Sequence, residues 1–252
     1  MEIEGCIALV TGANRGLGRA YAEALIAGGA AKVYAGARDL SSIADPCLLP
    51  VKLDVTSRSE AAAAAEECSD VNLLINNAGI MLGSPMLASG AEEAMRREME
   101  VNVFGVQNMI RSFAPVLSRN GGGVIVNVLS VVSWFTVPFN ATYCASKHAA
   151  LAVTDAARIQ LRSQGTRVVG VYAGFIDTDM AANIDQHKTP PRQVAERTLE
   201  GIRRGQEHVL ADRRAEEVWR AMRTEPSLMA EAMQQSWDKA KGRNTGPSGS
   251  LA

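Results

Sequence analysis

The chain has 252 residues, of which 47% are hydrophobic and 21% are charged, close to the average of globular proteins. This length can form one large α/β domain or two small ones, and no shift in composition marks a boundary between two halves. The formal net charge of −1 provides no chain-wide positive field for nucleic acid or an anionic membrane, so a small-molecule partner is expected.

Cysteine usage and hydropathy predict the cellular compartment. The four cysteines, Cys6, Cys47, Cys68 and Cys144, form no Cys-x-x-Cys pair and have no histidine at metal-ligand spacing. We therefore expect reduced thiols, no metal site and a cytoplasmic protein. The N-terminal segment has no basic stretch before an apolar core, and no stretch reaches membrane-spanning length, so neither secretion nor membrane insertion is expected.

Short β-rich segments alternate with helical segments along the chain. The first strand is predicted at Ile7 to Val10, a helix at about Gly16 to Ala27, and a second strand at Lys32 to Ala35. This alternation and the apolar strands predict one α/β domain over residues 1–242, with a doubly wound parallel sheet and helices on both faces. Further strands are predicted at Leu49 to Leu53, Asn72 to Ile75, Val124 to Val128, Arg167 to Tyr172 and His208 to Leu210.

Two Ser-x-x-Glu patterns predict helix starts, because serine and glutamate can each bind the other's backbone N–H. Ser57 pairs with Glu60 in this way, and Ser89 with Glu92 before a long helix that ends near Leu117. From Arg243 onward, Gly, Ser, Asn, Thr and Pro dominate, so residues 243–252 are expected to form a disordered tail.

A glycine-rich turn follows the first strand directly and opens a helix. Backbone N–H groups and the helix dipole at such a place can bind a pyrophosphate. The spacing is not Gly-x-Gly-x-x-Gly, so the strand-turn-helix context carries the interpretation, and a turn that serves only packing is the alternative. The predicted phosphate-binding residues are Thr11, Gly12, Asn14, Arg15, Gly16, Leu17 and Gly18.

The end of the second strand predicts which dinucleotide is bound. An acidic residue there would bind a ribose hydroxyl, whereas a basic residue accommodates a 2′-phosphate. Arg38 offers a planar fork to a phosphate, and Arg15 is expected to approach from the other side, which favours NADP(H). Two alternatives stay open: Asp39 binds the ribose if the strand ends later, or Arg38 is only a solvated loop charge.

A tyrosine and a lysine form the candidate catalytic pair. The spacing of Tyr143 and Lys147, at the start of a predicted helix, places both on one face about one turn apart. A neighbouring ammonium is expected to lower the tyrosine pKa from about 10 toward neutrality. Because this spacing also arises by chance, an exposed pair is the alternative. Ser130 ends a predicted strand, where its hydroxyl can bind a substrate oxygen.

With these residues the chain closely resembles the short-chain dehydrogenase/reductase family, in its shorter, single-domain branch, from the first strand to about Met180. Besides the glycine turn, the matching residues are Asp54-Val55, Asn76-Asn77-Ala78-Gly79, Asn102 and the thirteen-residue step from Ser130 to Tyr143. One departure is Ala173-Gly174, where the family usually has Pro-Gly. The resemblance implies a Rossmann-like fold and an oxidoreductase, and Arg38 and Arg15 favour NADP(H) as its cofactor.

The resemblance also implies residue roles. Tyr143 would protonate the carbonyl oxygen, Ser130 would orient it, Lys147 would hold the nicotinamide ribose, and Asn102 would support a helix kink and a relay water. For Asn76 and Asn102, a purely structural role is the alternative. Ala37 stands where an NAD(H)-using member places its acid. Further cofactor contacts are implied for Asp54, Val55, Asn77, Ala78, Gly79, Gly174, Ile176 and Thr178.

Hydrophobic side chains near Ser130 and Tyr143 predict a pocket for a hydrophobic ketone or aldehyde. They are Val132, Trp134, Phe135, Phe175 and Met180. Core packing or a subunit contact is the alternative for Trp134 and Phe135. Residues Ala181 to Pro191 are interpreted as a small lid. The resemblance also implies a homotetramer or homodimer, formed through two long helices at about Glu92 to Leu117 and Thr142 to Ser163.

The predicted function is that of a carbonyl reductase or alcohol dehydrogenase. A 3-oxoacyl-type reductase and a catalytically silent NADP(H)-binding regulator are alternatives, and the intact set of four catalytic residues disfavours the regulator. An isomerase, dehydratase or epimerase that uses the nucleotide internally is a further alternative. Within the wider family that class usually has a longer chain, for which 252 residues leave no room.

Overall fold

The computed structural model describes residues 1–244. Its sheet contains seven strands, all parallel as the sequence predicted, and their order is β3-β2-β1-β4-β5-β6-β7. Strand order reverses between β1 and β4, which is the usual place for a ligand crevice in such sheets. The strands are β1 (Ile7–Thr11), β2 (Lys32–Ala37), β3 (Leu49–Lys52), β4 (Leu73–Asn76), β5 (Gly123–Val128), β6 (Thr166–Tyr172) and β7 (His208–Leu210).

Helices cover both faces of the sheet. Alternate strand residues point to opposite faces, so Ala8 and Val10 pack with α1 and α6, whereas Leu9 packs with α2, α4 and α5. Burial on both sides explains why the strands read as continuous apolar runs. The helices are α1 (Gly16–Ala27), α2 (Arg58–Glu67), α3 (Ala91–Met99), α4 (Val106–Arg119), α5 (Ala141–Leu161), α6 (Pro191–Arg203), α7 (Arg213–Thr224) and α8 (Pro226–Asn244).

The two capping predictions fare differently. Ser57 caps α2 by accepting the N–H of Glu60 at 3.2 Å, but the Glu60 carboxylate binds the N–H of Asp54 at 2.7 Å rather than returning to Ser57. The prediction for Ser89 is wrong. Turn hydrogen bonds from Ala88 to Pro85 and from Ala91 to Ala88 place Ser89 inside the preceding turn, and Gly90 becomes the N-cap of α3.

The long helix predicted to end near Leu117 is divided by a π-helical segment, Glu100–Gly105, which contains Asn102. One extra residue in a turn of this kind displaces the side chains that follow it, and such segments are frequent at functional sites. Gly105 lies so close to Val55 that a Cβ there would be 2.7 Å from Val55 Cγ2. Glycine is therefore required where this segment meets the loop after β3.

The C-terminal region is helical to the end of the described residues. Helix α8 runs to Asn244, two residues into the predicted tail, and the rest of that tail lies outside the described part of the chain. Among residues 1–244, no helix has both the length and the apolar character needed to cross a bilayer.

Candidate active site

The predicted site residues converge at the carboxyl ends of the strands. The glycine turn follows β1, Asn77 to Gly79 follow β4, Ser130 follows β5, and Gly174 to Thr178 follow β6. Because these strands are parallel and β1, β4, β5 and β6 are neighbours, the four loops open onto one edge of the sheet. We call the space between them the crevice.

The glycine turn leaves the start of α1 open to a ligand. Gly12 (φ +64°) and Gly16 (φ +54°) adopt left-handed backbone conformations, and a Cβ on Gly18 would lie 2.1 Å from Gly12 O. Arg15 is the N-cap with extended backbone, and no side chain in the described residues caps this helix. Its leading N–H groups therefore remain available to an anion, which fits a dinucleotide pyrophosphate.

Thr11 joins the glycine turn to the loop after β4. Its Oγ1 accepts the N–H groups of Asn77 and Ala78, each at 3.0 Å, while Asn77 Nδ2 donates to Thr11 O at 2.9 Å. Thr11 is buried, and its oxygen is already engaged within the protein. Its observed contribution is to shape one wall of the crevice.

Beyond β2 the chain presents Arg38 rather than Asp39. The strand ends at Ala37, two residues later than predicted, yet the Asp39 carboxylate turns back to cap the Leu40–Ser42 turn. It accepts the hydroxyl of Ser41 at 2.7 Å and its N–H at 3.0 Å, and these bonds hold the pKa of Asp39 below its usual value. Within the described residues the Arg38 guanidinium forms no hydrogen bond or ion pair, so it is free to bind an anion.

Arg15 lies elsewhere than the sequence led us to expect. Its Nη1 is 3.0 Å from Asp179 Oδ2 in the loop after β6, and both side chains are well exposed. The guanidinium therefore points across the crevice instead of joining Arg38. An exposed pair of this kind contributes about 0–1 kcal/mol, so a phosphate can compete for Arg15.

After β3, Asp54 and Val55 are held by their own neighbours. Asp54 Oδ1 accepts the N–H and the hydroxyl of Thr56, at 3.0 and 2.8 Å. Partial burial opposes ionisation, but these bonds keep the pKa of Asp54 below its usual value. Val55 is buried, and its carbonyl accepts Asn108 Nδ2 at 3.1 Å.

Tyr143, Lys147 and Ser130 lie together at the end of β5. Lys147 Nζ is 5.6 Å from the Tyr143 ring centroid and donates to Val128 O at 2.9 Å. Ser130 Oγ accepts the N–H of Val132 at 3.3 Å and is 3.5 Å from Ala173 O, to which it can donate. A phenol, a hydroxyl and an amine are thus brought to one end of the crevice.

The expectation that the pKa of Tyr143 is lowered is wrong. Burial raises the pKa of the phenol, and nearby Cys144 and Glu98 add to the rise. Burial also lowers the pKa of Lys147, to about 8, which still leaves its amine protonated at neutral pH. Tyr143 therefore holds its proton at neutral pH, ready to donate it.

Asn102 ties three segments together. Its Nδ2 donates to Ile80 O at 2.9 Å and to Ser146 Oγ at 3.0 Å, and its Oδ1 accepts the N–H of Ile80 at 2.9 Å. Ser146 in turn donates to Tyr143 O at 2.8 Å. Asn76 has a similar structural bond, from Nδ2 to Asn127 Oδ1 at 2.8 Å. Both asparagines therefore satisfy neighbouring polar groups, as the structural alternative expects. For Asn102, the hydrogen bonds run through Ser146 to the backbone of Tyr143.

Asp212 organises the loop after β6, and sequence reasoning missed it. Its Oδ2 accepts the N–H of Gly174 at 2.8 Å and the hydroxyl of Thr189 at 3.2 Å, while its Oδ1 caps α7. Thr189 also pairs with Ile176 in a short parallel bridge. The predicted lid is therefore anchored near its C-terminal end. An aspartate before a helix is a capping signal, so the cap of α7 was predictable from the sequence. The bond from Gly174 was not, because Gly174 lies 38 residues away along the chain.

The structure does not bring the predicted pocket residues together. Trp134 and Phe135 line a cavity of about 530 Å³ whose other wall is formed by α7 and α8, including Met222, Met229, Met233 and Trp237. The other predicted pocket residues do not line it: Val132 is buried, and Phe175 and Met180 lie on the exposed loop after β6. The Trp134 ring also stacks on Tyr172 at 4.1 Å between centroids, which supports the core-packing alternative.

Comparisons with known proteins agree with this geometry. A family model described as short chain dehydrogenase matches residues 6–189. A solved short chain dehydrogenase of Burkholderia cenocepacia J2315, in complex with NADP, has 41% sequence identity and a TM-score of 0.89, covering 92% of this chain and 99% of that one. A 3-ketoacyl-(acyl-carrier-protein) reductase of Brucella melitensis, complexed with NADH, has 29% identity and a TM-score of 0.72, covering 79% and 91%.

A curated relative gives a more partial match. The short chain dehydrogenase tazN of Aspergillus terreus is 34% identical over 197 residues, which is 71% of this chain but only 43% of that protein. The chain thus spans less than half the length of this relative.

Proposed function

Since the chain belongs to the short-chain dehydrogenase/reductase family of oxidoreductases, we propose that it is an NADP(H)-dependent carbonyl reductase that reversibly interconverts a hydrophobic ketone or aldehyde and its alcohol. The observation that carries the proposal is the meeting of a protonated Tyr143, Ser130 and Lys147 at the end of β5, beside a turn able to bind a pyrophosphate.

The residues of the crevice fit a dinucleotide phosphate. The open start of α1 would hold the pyrophosphate, Arg38 the 2′-phosphate, and Lys147 the nicotinamide ribose. When bound, the nicotinamide would supply or accept a hydride. The NADP in the Burkholderia structure supports this choice, whereas the structure of the Brucella relative contains NADH. Within residues 1–244, Arg38 forms no side-chain hydrogen bond or ion pair, whereas Asp39 is bound by Ser41. The free guanidinium favours NADP(H) here.

The chain's own groups handle the proton. In reduction, the Tyr143 hydroxyl donates its proton to the carbonyl oxygen, and in oxidation the phenolate takes the proton of the alcohol. Ser130 Oγ donates a hydrogen bond that orients the same oxygen. The ammonium of Lys147 stabilises the phenolate left behind. Asn102 acts through Ser146 to hold the backbone of Tyr143 in position.

A panel of ketones and aldehydes with NADPH tests the proposal. Net loss of NADPH with a hydrophobic carbonyl compound supports it. Product formation without net loss of NADPH would indicate an isomerase or epimerase, and tight NADPH binding without turnover would indicate a regulator. Preference for 3-oxoacyl thioesters over simple ketones would favour the 3-oxoacyl-type reductase, the activity named for the Brucella relative.

The proposal includes a homodimer or homotetramer. Phe104 is 46% exposed on the π-helical segment, and Ile159 is 77% exposed on α5. Large apolar side chains on the outer faces of two long helices favour a two-fold contact. Light scattering should give a multiple of the 26.8 kDa chain mass, and Ile159→Glu should reduce it. A 26.8 kDa species at all concentrations would contradict the assembly.

A further inference from the structure

Glu98 is a buried carboxylate without a role in the reaction described above. It lies on α3, two residues before the π-helical segment begins, and is 0% exposed. Its Oε1 accepts two backbone N–H groups, from Leu82 at 2.8 Å and from Gly83 at 3.0 Å. Its Oε2 is buried without a hydrogen-bond partner in the described residues. A carboxylate half-satisfied in this way destabilises the fold, so packing alone does not explain it.

The loop whose N–H groups donate these bonds leads to the start of α5. The N–H of Ser84 donates to Thr142 Oγ1, and the N–H of Thr142 donates to Ser84 O, both at 3.2 Å. Thr142 is fully buried and directly precedes Tyr143. Asn102 fastens the other end of the loop through its two bonds to Ile80. Residues 80–84 thus connect the α3 region to the backbone beside the catalytic phenol.

Few charged groups act on Tyr143. Lys147 is on the same helix, and Cys144 is adjacent, with a thiol whose pKa is raised by burial. Tyr172 of β6 belongs to the hydrophobic cluster on which Tyr143 packs, and burial raises its pKa too. From α3, the negative charge of Glu98 opposes a phenolate and adds to the effect of burial on the Tyr143 pKa. The other members of that cluster are apolar.

We propose that Glu98 is a positioning residue for Tyr143: it clamps the 80–84 loop against the start of α5, beside the catalytic phenol. The inference rests on the proposed function, in which Tyr143 is the general acid and base. Neither the glycine turn nor the Tyr-Lys spacing predicts it. Two effects follow, one on the loop and one on proton transfer, and substitutions can separate them.

Glu98→Gln keeps an acceptor oxygen for Leu82 and Gly83 but removes the charge. Oxidation of the alcohol requires the phenolate, so its rate falls at low pH. Without the charge, this acid limb should move to lower pH by about 0.5 to 1 unit. Affinity for NADP⁺ and hydrogen exchange of the 80–84 amides in the cofactor-free protein should stay near wild type. Glu93→Gln, the same change on the exposed face of α3, is the matched control and should not move the limb.

Glu98→Asp is the complementary variant, because it keeps the charge but shortens the reach to the loop. It should raise hydrogen exchange at Leu82 and Gly83 and lower kcat at least several-fold, with the acid limb near its wild-type position. An unmoved limb in Glu98→Gln, or wild-type exchange and kcat in Glu98→Asp, would overturn the inference. If Glu98→Gln does not fold, Glu98→Asp decides alone. Tyr143→Phe in the same assays separates this outcome from failure of the proposed function. If the proposed function is wrong, Tyr143→Phe keeps its turnover; if only the inference about Glu98 fails, Tyr143→Phe still loses it.

Discussion

The crevice and the layer formed by α7 and α8 are held together by different forces. Around the crevice, buried polar side chains form directional hydrogen bonds: Thr11 holds the backbone of the loop after β4, and Asn102 holds the backbone of Ile80 and the hydroxyl of Ser146. Around α7 and α8, Trp134 stacks on Tyr172, Trp219 packs against Trp134 at a tilted angle, and methionines fill the remaining space.

This difference predicts separate roles for the two regions, catalysis for the crevice and substrate selection for the α7–α8 layer. Directional hydrogen bonds fix atoms to within a few tenths of an ångström, which proton transfer requires, whereas stacked rings and flexible thioethers tolerate displacement. We therefore expect substitutions at the crevice to affect rate and cofactor choice, and substitutions in the α7–α8 layer to affect substrate selection and stability.

The largest effect should come from the crevice, with Tyr143→Phe. Removing only the hydroxyl should lower kcat by about 10²- to 10⁴-fold, the usual contribution of a positioned acid/base, while the Kd for NADPH stays within a few-fold. Steady-state kinetics and NADPH fluorescence measure the two quantities. Tyr34→Phe makes the same change where the hydroxyl binds Asp70, away from the crevice, and should leave kcat unchanged. Near-normal turnover in Tyr143→Phe would remove the proposed mechanism.

Cofactor choice should respond next, to Arg38→Ala. Loss of a charge-assisted hydrogen bond at an exposed site should lower kcat/KM for NADPH by roughly ten- to thirtyfold and leave that for NADH unchanged. This single change is cleaner than adding an acid at Ala37, which is buried at the end of β2. Arg119→Ala, at the end of α4 and the opposite edge of the sheet, is the control. Equal kcat/KM for both cofactors in the unaltered protein would show that Arg38 does not select the phosphate.

Stability should depend on pH through Lys147. Its pKa is lowered by burial to about 8, so between about pH 8 and the unfolded value near 10.5 the unfolded chain binds more protons than the folded one. Stability from this group therefore rises with pH across that window. Relative to Lys147→Met, the wild type should gain about 2 kcal/mol in unfolding free energy between pH 7.5 and pH 9.5. Urea unfolding at both values measures the gain, and the exposed Lys239→Met should behave as wild type. A constant difference between wild type and Lys147→Met would contradict the burial of the ammonium.

The smallest effect should come from the other region, with Trp237→Ala in α8. Its ring lies 5.2 Å from that of Phe139, in the turn before α5. Losing this pair should cost about 0.5–1.5 kcal/mol of stability and raise KM for a bulky ketone a few-fold, with the Kd for NADPH unchanged. Unfolding and kinetics measure both, and the exposed Gln235→Ala is the control. A large fall in kcat would show that the division between the two regions is wrong.

Local sequence was enough for much of the fold and part of the site. The alternation of strands and helices predicted the seven parallel strands, because apolar runs and crossover helices are patterns of neighbouring residues. The glycine turn was predictable for the same reason, since a strand, a turn and a helix start follow one another within a few residues. The error at Ser89 was also local: a capping pattern does not reveal that a turn already uses the preceding backbone groups.

By itself, the sequence determined the sheet, the family resemblance and the residues that supply phenol, amine and hydroxyl. Only the tertiary structure decided that Arg15 pairs with Asp179, and that burial raises rather than lowers the pKa of Tyr143. It also decided the partners of Glu98 and Asp212. The physical reason is that desolvation and hydrogen bonding depend on which distant segments pack together, and spacing along the chain does not encode that distance.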